Sequence, residues 1–150
     1  MNKENYVDVM KYLEKLNRFF LDNIKSGLEN SGISDVSAVQ AMMLYSLKTD
    51  KVSMTDLHKR GHYLGTNAAY NVSNLLKNNY LVKDINTFDL RGVWLSLSEK
   101  GLKILDLIDS VITLQSEALT SVGINDKNID DANNILDKIT RVLEEIRIKR

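Results

Sequence analysis

Apolar residues recur at steps of three and four from the start of the chain, at Tyr6, Val9, Leu13, Leu16 and Phe20, with Ile24 and Leu28 continuing the series and charges between them. That period puts one apolar stripe along a long helix, which Asn30-Ser31-Gly32 ends. Phe19 and Phe20 read as core or interface. Ser37 and Gln40 have capping-box spacing and open a helix over Ala38 to Leu47, with Val39, Met42, Met43, Leu44 and Leu47 apolar. Ser53 with Asp56 opens another, carrying Met54 and Leu57 inward and Lys59 and Arg60 outward, and Gly61 ends it. After a turn at Tyr63, Leu64 and Gly65 the helical period resumes at Thr66. Ala69, Val72, Leu75 and Leu76 share one face, while Asn67, Tyr70, Asn71, Asn74 and Lys77 share the other.

Leu81 to Ile85 and Val93 to Leu97 then read as two strands of a hairpin, the second alternating Val93, Leu95 and Leu97 with Trp94 and Ser96. Ser98 caps a helix running to about Leu119, and Ser121 to Asp126 is a loop. The last helix sets Ile129, Ala132, Ile135, Ile139, Val142 and Ile146 at steps of three and four, with Leu136 and Leu143 widening the stripe. A lone amphipathic helix cannot bury its own stripe. The seams at the two ends (Tyr6, Val9, Leu13, Leu16 and Phe20; Ile135, Ile139, Val142 and Ile146) are therefore expected to pack together and against a partner's copies, in a two-fold symmetric homodimer. The alternative is an intramolecular hairpin of the same helices in a monomer.

The expected fold class is mostly α with a small β-hairpin wing: a winged helix-turn-helix between N- and C-terminal dimerisation helices. The chain of 150 residues reads as a single domain, 1–150, with dimerisation helices at 1–32 and 104–150 and a winged lobe at 33–103. The absence of Pro favours helix, and the absence of Cys excludes disulfides, thiol redox sensing and thiolate metal sites. Met1 to Tyr6 is charged and polar, and no apolar run reaches the roughly 18 residues of a membrane span. A soluble, cytoplasmic chain without a membrane partner is expected.

The formal net charge is zero, but it is unevenly spread. Residues 51–103 hold 8 basic and 4 acidic side chains, against 6 and 7 in residues 1–50 and 6 and 9 in residues 104–150. The basic excess thus falls on the winged lobe, where phosphate contacts would use it. The polar face after Gly65 has the matching chemistry. A merely solvated helix face favours Glu and Lys, which are better helix formers than Asn, Thr or Tyr. Asn pairs with the adenine N6 and N7 edge, Thr meets a thymine methyl, and Tyr or Lys holds a phosphate. Thr66, Asn67, Tyr70, Asn71, Asn74 and Lys77 are accordingly candidate DNA contacts. At the hairpin tip Asp89 can orient Arg91 into a narrow minor groove. A plain solvated face and a surface ion pair are the blander alternatives.

A family resemblance rests on these same residues. The series Val36-Ser37-Ala38-Val39-Gln40, Asp56-Leu57, the helix from Thr66 to Leu76, Tyr80-Leu81-Val82 and the run Asp89-Leu90-Arg91-Gly92-Val93-Trp94-Leu95-Ser96-Leu97-Ser98-Glu99-Lys100-Gly101 resembles the multiple-antibiotic-resistance regulator (MarR) family. In that family an Asp-x-Arg wing tip precedes an alternating strand and a Leu-Ser/Thr-x-Lys-Gly helix start, and each position is filled here. The resemblance covers about Val36 to Leu105. It implies a homodimeric, bacterial-type transcription factor with two winged lobes, often released from its operator by a small-molecule ligand. Asn71 stands where the family often has a basic residue, and Leu90 where a second Arg is frequent.

The leading expectation is a sequence-specific regulator of double-stranded DNA, a homodimeric repressor on a near-palindromic, A·T-rich operator, with reading helices about 34 Å apart. The alternative is a winged-helix module that binds protein without reading DNA. His58 and His62 lie four apart, a metal-ligand spacing, but Gly61 interrupts the helix and no acidic residue accompanies them, so no metal or cofactor is expected. An enzyme is not expected either: there are no Walker glycines, no His-Glu-x-x-His and no paired carboxylates in a recognisable setting.

Overall fold

The Asn2 side chain accepts from the backbone N–H groups of Glu4 and Asn5 and so starts α1, Lys3–Asn30, in a computed structural model that describes residues 1–60, 67–85 and 92–149. Gly32, at φ 73°, ends it: Ile33 N–H reaches the Leu28 carbonyl at 2.9 Å and Gly32 N–H reaches that of Glu29 at 3.0 Å. The expected capping box is present at α2, Ala38–Leu47. Gln40 N–H donates to Ser37 Oγ and Ser37 N–H to Gln40 Oε1, each at 3.1 Å.

Val52–Ser53 form β1, which precedes α3, Met54–Arg60. Ser53 has two roles, pairing with Trp94 across the sheet and accepting from Asp56 N–H at 3.1 Å to start α3. After α4, Ala68–Lys77, come β2, Leu81–Ile85, and β3, Val93–Leu97, which pair antiparallel from Leu81 opposite Leu97 to Ile85 opposite Val93. The sheet order is β1-β3-β2, so the two-stranded hairpin expected from the sequence is a three-stranded sheet. Two residues are too few to show an alternating pattern, and Val52 gains its partner, Leu95, from far along the chain. The tip, 86–91, lies outside the described residues.

By their internal contacts the residues form two compact units, Met1–Val111 and Ile112–Arg150, with the boundary inside α5, Glu99–Ser121. The first unit buries Ile24 and Leu28 of α1, Met43, Leu44 and Leu47 of α2, and Leu57, Leu75, Leu95, Ile104 and Ile108 from the elements that follow. At roughly 1.5–3 kcal/mol per buried side chain this core dominates the unit's stability. In the second unit α6, Asp126–Lys149, starts from a reciprocal cap: Asn125 and Asn128 each accept the other's backbone N–H through Oδ1, at 2.9 and 3.0 Å. No helix among the described residues is long and apolar enough to cross a membrane.

Candidate nucleic-acid interface

The residues around α4 fix its C-terminal end. Asn79 takes the left-handed φ of 65°, while Tyr80 N–H reaches the Leu75 carbonyl at 2.9 Å and Asn79 N–H that of Leu76 at 3.1 Å. Asparagine stands here where glycine is commoner, because its short polar side chain tolerates this conformation. The freed carbonyls then gain partners from the start of α5. Ser98 Oγ donates to the Asn79 carbonyl at 2.6 Å, Lys100 Nζ donates to that of Asn78 at 2.9 Å, and Gly101 N–H donates to Ser98 Oγ at 3.0 Å. The Leu-Ser-x-Lys-Gly run is thus a clamp on the end of α4.

Asp35 joins the clamp from the α1–α2 connection. Tyr80 OH donates to its Oδ1 at 2.6 Å, and Lys100 Nζ lies 3.5 Å from its Oδ2. The Tyr80 hydrogen bond, helped by the Lys100 charge and opposed by partial burial, holds the Asp35 carboxyl below its ordinary value. Burial first, and then the bond to Asp35, push the Tyr80 phenol above its own.

With its end fixed, α4 turns Asn67, Tyr70, Ser73 and Lys77 outward, with Asn74 half-buried beside them. These side chains lie three and four residues apart on adjoining turns and form one polar stripe. Tyr70, 67% exposed, stands in the middle of this stripe. Lys77 lies in the last turn, where its charge complements the helix dipole. The sequence reading omitted Ser73, whose small hydroxyl carries no pattern of its own.

Two placements on α4 differ from the sequence reading. Asn71, expected on the outward face, is only 9% exposed, and Gln40 Nε2 of α2 donates to its Oδ1 at 3.2 Å. The buried stripe is Ala68, Asn71, Val72 and Leu75, and Ala69 is exposed. A pattern that counts only apolar residues puts Ala69 inside and Asn71 outside, although the rest of the face keeps its expected sides. Thr66, Asp89 and Arg91 lie outside the described residues, as do His62 and the side chain of His58. Arg60 is tied back to the end of α2 by bonds of 3.0 Å to the Ser46 carbonyl and to Asp50 Oδ2. Among the described residues no group of His, Cys, Asp or Glu could hold a metal ion.

The residues expected to form dimer seams divide by exposure. On α1, Val9 and Leu16 are exposed while Tyr6, Leu13 and Phe20 are half-buried. Tyr12 and Phe19 join Val9 and Leu16 in an exposed stripe at steps of three and four. On α6, Ile135, Val142 and Ile146 are exposed and Ile139 is half-buried. In the first unit a groove of about 760 Å³ lies over the α1–α2 connection, its lining including Lys25, Glu29, Ile33, Asp35 and Gln40.

No family model matches this chain. A curated relative, the exopolysaccharide II synthesis transcriptional activator ExpG of Rhizobium meliloti, is 26% identical over 137 residues, spanning 91% of this chain and 71% of that protein. Among solved structures, Streptococcus pneumoniae FabT in complex with DNA superposes with a TM-score of 0.73 at 21% identity, over 94% of this chain and 99% of that one. Staphylococcus aureus MarR in complex with salicylate and kanamycin gives a TM-score of 0.72 at 17% identity, over 95% and 94%. A putative MarR-like transcription regulator from Bacillus cereus gives 0.66 at 20% identity, over 93% and 99%.

Proposed function

From the premise that this chain has the winged helix-turn-helix fold of the MarR-family regulators, we propose that it is a cytoplasmic, sequence-specific regulator of transcription that binds double-stranded DNA as a homodimer. The observation that carries this is the α4 stripe: an exposed Tyr70 flanked by Asn67, Asn74 and Lys77, with few of the Glu and Lys residues of an ordinary solvated helix. In the major groove Asn67 and Asn74 would read base edges while Tyr70 and Lys77 hold phosphates. Thr66 would add a contact at the helix start, and Arg91, braced by Asp89, would enter the minor groove. Asn71 is dropped from the reading set, because its side chain is spent on Gln40.

The exposed apolar stripes of α1 and α6 support the homodimer, since large apolar patches in water mark association surfaces. A two-fold dimer would bring two reading helices to half-sites about one helical turn apart. Regulation then depends on where the operator lies. A site across a promoter gives repression, as the sequence suggested, whereas the name of the curated relative records activation. A small-molecule effector fits the same reading. A ligand in the groove over the α1–α2 connection would bear on Asp35 and Gln40, which both bond to the α4 segment.

The test is selection of bound duplexes from a random pool, followed by a salt titration on the winner. An A·T-rich near-palindrome is expected, with affinity falling by orders of magnitude between roughly 50 and 200 mM salt. A pool without enrichment, or affinity that ignores salt, would move the α4 face to a protein partner.

A further inference from the structure

The buried stripe of α4 contains a residue that hydrophobic packing alone would not select. Ala68, Asn71, Val72 and Leu75 occupy the i, i+3, i+4 and i+7 places of a core-facing helix, and the second of them is an asparagine. Its Oδ1 accepts from Gln40 Nε2, and Gln40, only 7% exposed, simultaneously accepts the Ser37 N–H through Oε1. One amide therefore caps α2 with its oxygen and holds α4 with its nitrogen. Asn71 also sits on the shoulder of the buried stripe, one helical turn from the outward Asn67 and from Asn74.

We propose that the Gln40–Asn71 hydrogen bond is a positioning device for the α4 face, setting the helix's rotation about its own axis and hence which bases the outward residues meet. Apolar contacts are non-directional, so Ala68, Val72 and Leu75 alone would tolerate a small roll of α4. A hydrogen bond weakens steeply off its preferred angle and does not. Neither buried amide finds an equivalent partner after a roll, and an unpaired buried polar group costs about 1–3 kcal/mol. A single buried asparagine fixes the register of coiled coils by the same physics. Asn71 and Gln40 are thus positioning residues that need not touch the nucleic acid. This inference rests on the proposed DNA reading.

The experiment measures, for each variant, affinity for the selected operator and for an unrelated duplex, together with the unfolding midpoint. Asn71→Leu should lower the operator-to-unrelated ratio on the order of tenfold, the effect of one mismatched base pair. Non-specific affinity and its salt dependence should stay as they were. Gln40→Met with Asn71→Leu replaces both amides by apolar groups and, measured against Gln40→Met alone so that the lost Ser37 cap cancels, should cost little further stability without regaining the ratio. Leu75→Ala, buried in the same stripe, should lower the midpoint and leave the ratio alone. A ratio that recovers in the double variant, or that falls equally in Leu75→Ala, would overturn the positioning role while the DNA reading stands. A wild-type protein that does not distinguish the two duplexes would overturn both.

Discussion

Tyr80 and Asp35, 45 residues apart in sequence, are joined by a 2.6 Å hydrogen bond from the phenol to the carboxylate, and Lys100 Nζ lies 4.2 Å from the centre of the Tyr80 ring. The three side chains come from the α1–α2 connection, the turn between α4 and β2, and the start of α5. They tie α4 to the rest of its unit.

That triad should make stability depend on pH at both extremes. Asp35 is held below its ordinary 3.8, chiefly by the Tyr80 bond. Its contribution is therefore complete above that value and is lost as pH falls through the lower folded one. Tyr80 is pushed above 10.0, by burial and then by Asp35. Its contribution is complete below 10.0 and fades as pH rises towards the folded value. The difference in urea midpoint between wild type and Tyr80→Phe should thus be greatest at neutral pH and narrow at both ends. A gap that stays constant across the range would show that the Asp35 bond contributes nothing.

Gly101→Ala should destabilise the protein, although Gly→Ala inside a helix ordinarily gains up to about 1 kcal/mol. A Cβ there would collide with the Tyr80 carbonyl and stand 3.3 Å from Leu97 Cβ. The carbonyl is backbone, held by Ser98 N–H at 3.1 Å, and cannot swing aside. A loss of about 1–3 kcal/mol is expected from the overpacking, read by denaturant unfolding, and a gain would mean that the β3–α5 junction yields freely.

What the sequence revealed was set by near neighbours. The Ser37–Gln40 box and the Ser53 and Ser98 caps each depend on residues within one turn, and each is present, while β3 forms over its expected range with Leu95 alone of its alternating set fully buried. The parts that pattern could not show were decided across long stretches of chain. β1 is a strand because Val52 meets Leu95, and Asn71 is inside because Gln40, 31 residues away, supplies its partner. An asparagine at an ambiguous helical position reads as outward until that partner is placed. The candidate site was therefore legible as a helix and a face, with Asn71 and Ala69 alone assigned to the wrong sides of it.

On that face, two substitutions should separate base reading from charge. Lys77→Gln should weaken binding to all duplexes by a similar factor and reduce the salt slope by about one. Asn74→Ala should instead cost about 1–3 kcal/mol on the selected operator and little on unrelated DNA. Both effects are read by fluorescence anisotropy at several salt concentrations. If the two variants lose affinity in the same pattern, Asn74 is not reading a base.

Dimerisation can be tested without disturbing either unit's own core. Leu16 on α1 is 61% exposed and Ile135 on α6 is 59% exposed, so glutamate at either position stays solvated in a single chain. In a closed two-fold interface the same carboxylate would be buried without a partner, at a cost of about 3 kcal/mol or more, over a hundredfold in dimer Kd. Leu16→Glu and Ile135→Glu are thus each expected to halve the mass measured by sedimentation at micromolar concentration, with the helical circular dichroism unchanged. Operator affinity should fall as well, because each separated lobe then reaches one half-site. A wild-type mass equal to that of one chain would favour the monomeric hairpin, and variants that keep the doubled mass would place the interface on other residues.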